Sequence, residues 1–346
     1  MSAVSETLQR NSKAVREYLS DLKENTRPTL GPFTDVADEL HALTWDYTER
    51  EWKGLRSSFV LQTAAAFGGN MDSALDLATV MQLEQDWILI EDDLEDKSPL
   101  RRDKTALWKM DSAGEDIAIN VAARLRTINE KLFGNALQKV HENQRRPLEL
   151  FRNEMLDQTT QGQHFEMHMR KLPLSKISLD AVLMIYDRKT GTYTYELPCG
   201  YGLHVSYLPE HEILKRRLAF RDYGAPFQIE DDYLNLRAEA KSGYGKEFAD
   251  DILEGKWTIF AALAKSLLKG KDLERHHQIY GNRNATTDDR REDVEMFEKY
   301  GVFDQAMAIQ RALWYQARNK AYGLVPRTKE GELLIEILDA GCNRTK

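Results

Sequence analysis

The chain is 346 residues long, 42% hydrophobic and 30% charged, with a formal net charge of −8. That length accommodates one large domain or two ordinary ones, and the apolar content supports a substantial core, which excludes a disordered or fibrous polymer. A pI of about 5.6 argues against nucleic acid as the main partner, although a local basic cluster can still receive an anionic small molecule inside an acidic protein.

The N-terminal stretch lacks an apolar signal core and reads as an amphipathic helix. Apolar residues then recur at helical spacing over 72–96, 115–133, 211–236 and 303–324. Breaks fall at Asn70, at Ser98–Pro99, at Pro173, around Lys241–Gly245 and in the polar stretch Gly281–Arg290. Thr105 to Met110 and the C-terminal segment read as further helix. No set of alternating strand runs is present, and none of the breaks makes a linker. The expectation is an all-α single domain over 1–346, a bundle of roughly ten to fourteen helices. No run reaches the length of about 18 apolar residues that a membrane span needs. Cys199 and Cys342 are too few for a disulfide framework or a zinc site, so a reduced, cytoplasmic setting is expected. Cys342 also stands one position too far from the end to be a prenylation signal.

Two acidic clusters carry chemistry. The first is Asp92-Asp93-Leu94-Glu95-Asp96 and the second Asp231-Asp232-Tyr233-Leu234-Asn235, each closing an apolar run. On a helix Asp92 and Asp96 share a face, as do Asp231 and Asn235, with the second aspartate about 100° round. Carboxylates so placed repel one another unless a cation bridges them. Hard oxygen ligands, few per helix, suit Mg²⁺, which completes its shell with water and substrate phosphate. Taken singly, either cluster also fits a solvated helix end. Basic residues that complement them are Lys53, Arg56, Arg101, Arg102, Lys189, Lys246 and Lys256; each alone reads as surface, but guanidinium forks beside a metal suit a diphosphate.

These strings resemble the trans-prenyl diphosphate synthase family, which includes geranylgeranyl and farnesyl diphosphate synthases. DDLEDKSPLRR is similar to its first aspartate-rich motif and FQIEDDYLN to its second; Lys53 and Arg56, Gly162-Gln163, Lys189-Thr190, and the segment from Gly245-Lys246 to Lys256 match other family strings in order, within about residues 50–260. There are departures. Asp103 stands where the family's RRG has Gly, Ala249 where Gly is usual, Glu91 before the first motif, Glu51-Trp52 for two glycines, and Asn235 for the last Asp of the second motif.

The resemblance implies an isoprenoid-synthase-like bundle around a central apolar cavity, active as a homodimer. It implies head-to-tail condensation of isopentenyl diphosphate with an allylic diphosphate. Two or three Mg²⁺ ions would be held by Asp92, Asp96 and Asp231, with Asp93, Asp232 and Asn235 close by. Arg101, Lys189, Lys246 and Lys256 would neutralise the allylic diphosphate; Lys53, Arg56, Gln85 and Arg102 would hold isopentenyl diphosphate; Lys189, Thr190 and Gln228 would lie near the developing cation. Trp87 and Ile88, one turn and about 6–7 Å below Asp92, would limit product length, with the large Trp87 favouring geranylgeranyl over farnesyl diphosphate; ordinary core is the other reading of Trp87. Two other functions fit less of the sequence. A class I terpene cyclase would lack the Lys53/Arg56 pair, and a non-catalytic regulatory subunit of a synthase would have lost one acidic motif. His164 and His168 lack the Glu that a zinc protease motif needs, and GYGKEF lacks the residues of a phosphate loop.

Overall fold

The computed structural model describes residues 2–237 and 248–342. Among them the chain is almost wholly helical, and its β structure is one two-stranded hairpin. The all-α expectation holds among the described residues, and one run read as a single helix is divided. The 211–236 run is two helices, α9 (Glu210–Arg221) and α10 (Gly224–Arg237), broken at Asp222-Tyr223.

By contact the chain forms two compact units, the first made of Met1–Leu150, Pro198–Ile213 and Pro326–Ile337, the second of Phe151–Leu197, Leu214–Val325 and Leu338–Lys346. The first begins with α1 (Ala3–Asn25), α2 (Thr34–Glu49), α3 (Leu55–Ala66) and α4 (Met71–Asp96), and continues through the hairpin β1 (Leu100–Arg101) and β2 (Lys104–Thr105) to α5 (Gly114–Lys139). Helix α4 starts where Asn70 breaks the pattern: the Asn70 side chain accepts the Ser73 N–H at 2.9 Å and caps the helix. Buried residues run all round it, so it is the central helix of the unit, packed between α3 and α5. It ends at Lys97, which adopts a left-handed φ of 58°. The stretch read as helix after it is instead the hairpin and one tight turn at Leu107–Lys109. Leu100 pairs with Thr105 and Arg101 with Lys104 across a two-residue turn. Arg102 and Asp103 at its tip have φ of 52° and 61°. Both values are left-handed, as a hairpin turn that follows the natural strand twist requires.

Within the second unit lie the rear of α6 (Glu142–Met169), α7 (Leu179–Ile185) and a π-helical stretch, Tyr186–Glu196. After α10 come α11 (Asp250–Glu254), α12 (Ile259–Leu267), α13 (Gly270–Ile279), α14 (Thr287–Lys299) and α15 (Val302–Tyr322); α8 (Leu197–His204) and α16 (Lys329–Cys342) complete the chain's helices. Ile229, Ile252, Phe260, Phe297 and Val302 centre this unit's core. Two close approaches set the π stretch. A Cβ on Gly162 of α6 would lie 2.7 Å from the Lys189 nitrogen, and one on Gly224 of α10 would lie 2.2 Å from the Gly191 Cα. Only glycine lets these backbones pass so near.

Candidate active site

In the first unit the last turn of α4 presents Asp92, Asp93 and Asp96. Asp93 is fully buried, and both its oxygens are engaged. Tyr47 of α2 donates its hydroxyl to Oδ2 at 2.6 Å. Arg101 donates Nε at 2.9 Å to Oδ1 and a second, terminal nitrogen to the same atom, while that nitrogen reaches Asp92 at 3.3 Å. Burial pushes the Asp93 carboxyl up and the Arg101 charge works against it. Burial opposes the Arg101 charge in turn, yet Asp93 beside it holds the guanidinium well above its ordinary pKa. The hairpin that carries Arg101 is pinned by Arg50, which donates to the Arg101 carbonyl at 2.8 Å and the Thr105 carbonyl at 2.7 Å, and stacks 4.3 Å above the Tyr47 ring.

Arg102 leaves the same turn toward another carboxylate, Asp86, at 3.0 Å, and also donates to the Tyr47 carbonyl. Asp86, fully buried on α4, is oriented by Gln82 at 3.0 Å. Lys53 is exposed just ahead of α3, while Arg56 at the start of α3 and Gln85 on α4 are half-buried. Trp87 is buried with the Arg126 guanidinium 5.1 Å from its ring, and Ile88 is half-buried.

The second unit holds Lys189 and Thr190 in the π stretch. Thr190 donates to the Gln228 oxygen at 2.6 Å, and Gln228 donates to Asp232 Oδ1 at 2.7 Å. The other Asp232 oxygen accepts the Tyr186 hydroxyl, which itself accepts the Ile259 N–H at 2.9 Å. Lys189 pairs with Glu166 of α6 at 2.6 Å. Lys256 pairs with Glu254 at 2.8 Å and Asp251 at 3.4 Å. Asn235 takes part in the turn that follows α10. Its carbonyl side chain accepts the Asp251 N–H at 3.3 Å and its backbone carbonyl the Ala249 N–H at 3.1 Å, so it clips the turn into α11. Lys246, expected to serve the allylic diphosphate, lies outside the described residues. His164 and His168 are exposed on α6.

The donor set fits a divalent cation. Burial, then the neighbouring charges of Asp251 and Asp231, push Asp232 well above the usual carboxylate range, against the hydrogen bonds from Tyr186 and Gln228. A cation beside these oxygens removes that penalty. Among the described residues no three ligating side chains enclose an ion by themselves.

Sequence reasoning missed Tyr47, Arg50, Asp86, Glu166 and Tyr186. All are distant in sequence from what they hold; a buried Arg or Tyr leaves no periodic trace, and only the folded packing reveals the partner. The two tyrosines did leave one signal, for each stands 46 residues ahead of its aspartate.

Residues 37–297 match the family described as polyprenyl synthetase. A short chain isoprenyl diphosphate synthase of Methanothermobacter thermautotrophicus is 28% identical over 269 residues, which is 74% of this chain and 76% of that protein. A geranylgeranyl diphosphate synthase of Methanosarcina mazei is 23% identical over 350 residues, covering 99% and 98%. In fold the chain is similar to a polyprenyl synthase from Caulobacter crescentus CB15 solved with calcium and isoprenyl diphosphate, with a TM-score of 0.83, 21% identity, and coverage of 99% of this chain and 98% of that one.

Proposed function

We propose that this chain, which belongs to the polyprenyl synthetase family and is a prenyltransferase, joins isopentenyl diphosphate to an allylic diphosphate head to tail. The observation that carries the reading is the end of α4. A row of carboxylates there meets an arginine delivered by a pinned hairpin, and the arginine's terminal nitrogen spans Asp92 and Asp93. Carboxylate and guanidinium side by side serve a metal-bound diphosphate, since one takes the cation and the other the phosphate oxygens.

In this proposal Asp92, Asp96 and Asp231 hold two or three Mg²⁺ ions, with Asp93, Asp232 and Asn235 behind them. The ions, when bound, stabilise the diphosphate as it leaves the allylic carbon. Arg101, Lys189, Lys246 and Lys256 neutralise that diphosphate. Lys53, Arg56, Gln85 and Arg102 orient isopentenyl diphosphate so that its double bond attacks the cation. Thr190 and Gln228, hydrogen-bonded to each other, direct their oxygens toward the developing charge. Loss of a proton then completes a product five carbons longer. Each described cation of the allylic set already rests against a carboxylate, which holds it in place until phosphate oxygens exchange in. Trp87 and Ile88 limit the product, with geranylgeranyl diphosphate favoured and farnesyl diphosphate next. The M. mazei relative supports the longer product. A homodimer in a reduced cytoplasm completes the proposal. Cys199 and Cys342, buried without a disulfide, support the reduced setting.

The test is elongation of dimethylallyl, geranyl and farnesyl diphosphates with isopentenyl diphosphate and Mg²⁺, followed by sizing of products. Elongation abolished by EDTA is expected. A folded protein that elongates none of the three sinks the proposal.

A further inference from the structure

The two acidic motifs share a construction that their sequences do not display. In each, the second aspartate is buried and accepts the hydroxyl of a buried tyrosine 46 residues earlier: Tyr47 to Asp93, Tyr186 to Asp232. In each, that hydroxyl oxygen also accepts a backbone N–H from beyond the motif, Leu107 at 3.2 Å and Ile259 at 2.9 Å. In each, the aspartate's other oxygen faces a side chain assigned above to substrate. Asp93 Oδ1 takes the Arg101 Nε at 2.9 Å, a donor that also reaches Oδ2 at 3.1 Å, and Asp232 Oδ1 takes the Gln228 amide at 2.7 Å, whose oxygen in turn takes Thr190.

A carboxylate on a single-bonded side chain turns freely unless both oxygens are held. Here a tyrosine fixes one oxygen and is itself fixed by the backbone, so the second oxygen points in one direction. The residue that it grips then has one orientation as well. We propose that Tyr47 and Tyr186 are paired positioning residues, each locking the second aspartate of its motif so that Arg101 in one unit is set for a metal-bound diphosphate, and Gln228 with Thr190 in the other for the developing cation. This rests on the reading of the site as that of a prenyl diphosphate synthase. The tyrosines touch no reacting atom; they act through Asp93 and Asp232. The same device in both units makes neither one an accident of local packing.

Tyr47→Phe and Tyr186→Phe, made in the full chain, delete one hydroxyl each and keep the ring. The probe is inorganic pyrophosphate with Mg²⁺, titrated by calorimetry, alongside KM and kcat for elongation. Tyr201→Phe is the control, because Tyr201 is also buried and donates to a carboxylate, Glu84, at 2.8 Å. Losing a hydrogen bond to a charged group is worth about tenfold or more. Tyr47→Phe is therefore expected to weaken magnesium pyrophosphate binding by about tenfold and to raise the KM of the allylic substrate, and Tyr186→Phe to lower kcat by about tenfold with pyrophosphate affinity within about twofold. Tyr201→Phe is expected to lower the melting temperature and leave that affinity within about twofold. Site variants that melt early while Tyr47→Phe binds as tightly as wild type and Tyr186→Phe keeps the wild-type kcat assign the tyrosines a purely structural role and overturn the proposal. So does an equal loss of affinity in Tyr201→Phe. A wild-type protein that elongates while Tyr47→Phe binds normally and Tyr186→Phe turns over normally refutes the positioning alone. A wild-type protein that neither binds magnesium pyrophosphate nor elongates refutes the underlying reading, and the proposal with it. The variants lie in separate units, so either one that folds suffices for the test.

Discussion

The buried guanidinium of Arg50 donates to the backbone carbonyl of Arg101 at 2.8 Å, across 51 residues of sequence. A side chain that leaves no mark in any motif thus holds the hairpin on which a motif residue is delivered. Arg50 has a further bond to the Thr105 carbonyl and an ion pair with Asp46. Arg50→Ala leaves two carbonyls and a carboxylate without their donor. A loss of about 3 kcal/mol or more in urea unfolding is expected, since one member of a buried charged cluster has gone. The KM of the allylic diphosphate should rise as the hairpin loosens. Arg50→Lys retains the charge but not the fork, and should recover only part of either loss. A KM equal to wild type in Arg50→Ala would show that Arg101 needs no such support.

Four described residues other than glycine have left-handed φ, and at two of them the family's strings carry glycine. Asp103 has φ 61° at the hairpin tip and Ala249 has φ 52° at the entry to α11. Left-handed backbone costs an L-residue about 1–2 kcal/mol, less for Asp, which tolerates it. Ala249→Gly relieves that strain and gives up a buried methyl worth about 0.8 kcal/mol, so a small net gain in melting temperature is expected. Ala249→Val should lose about 2 kcal/mol or more, because a β-branched residue fits that region worst. Asp103→Gly should be neutral or stabilising and should tighten pyrophosphate binding by removing a negative charge from the hairpin.

Gly162 brings α6 against the backbone of Lys189. A methyl there would meet the Lys189 nitrogen at 2.7 Å and the Arg188 carbonyl carbon at 2.9 Å, both backbone atoms that cannot swing aside. Gly162→Ala is expected to cost about 1–3 kcal/mol of stability. It should also lower kcat by about 100-fold, because a shift near 1 Å at Lys189 and Thr190 misplaces both. A loss of stability with kcat intact would separate these two residues from the chemistry.

In the proposed function, product length rests on the turn of α4 below Asp92. At 100° per residue Ile88 lies about 40° from Asp92 round the helix and Trp87 about 140°. Ile88→Phe is expected to shorten the main product by one five-carbon unit. Trp87→Ala is expected to lengthen it and to cost about 3 kcal/mol, since the indole is buried. Chromatographic sizing decides. Unchanged products in both variants would place the limit on another helix.

Acid sensitivity has one well-defined contributor outside the site. Hydrogen bonds from the Thr286 hydroxyl and N–H, then from Arg275, hold Asp289 at about 2, below the usual 3.8. A folded pKa below the unfolded one means that the stabilisation is present above about pH 4 and lost as pH falls through 2. The urea midpoint of Asp289→Asn should therefore lie below wild type at pH 7, with the gap narrowing below about pH 4 and closing near pH 2. A gap that persists at low pH would assign the effect to the helix cap's shape instead of its charge.

Much of this protein was determined locally. Helical spacing along 72–96 and 303–324 became α4 and α15, because burial of one stripe or of all sides is written directly in residue order. Asn70 announced the start of α4, since a capping side chain acts within three residues. The acidic motifs and their adjacent arginines were legible for the same reason. Tertiary packing decided the rest. Arg101 turned toward Asp93, and Arg102 toward Asp86, because a two-residue turn with left-handed dihedrals aims neighbouring side chains at different carboxylates. Lys189 paired with Glu166 because a glycine lets α6 approach it. Tyr47 and Tyr186 met their aspartates only after distant segments came together, and a hydroxyl that finds its partner across 46 residues has no local signature in the chain.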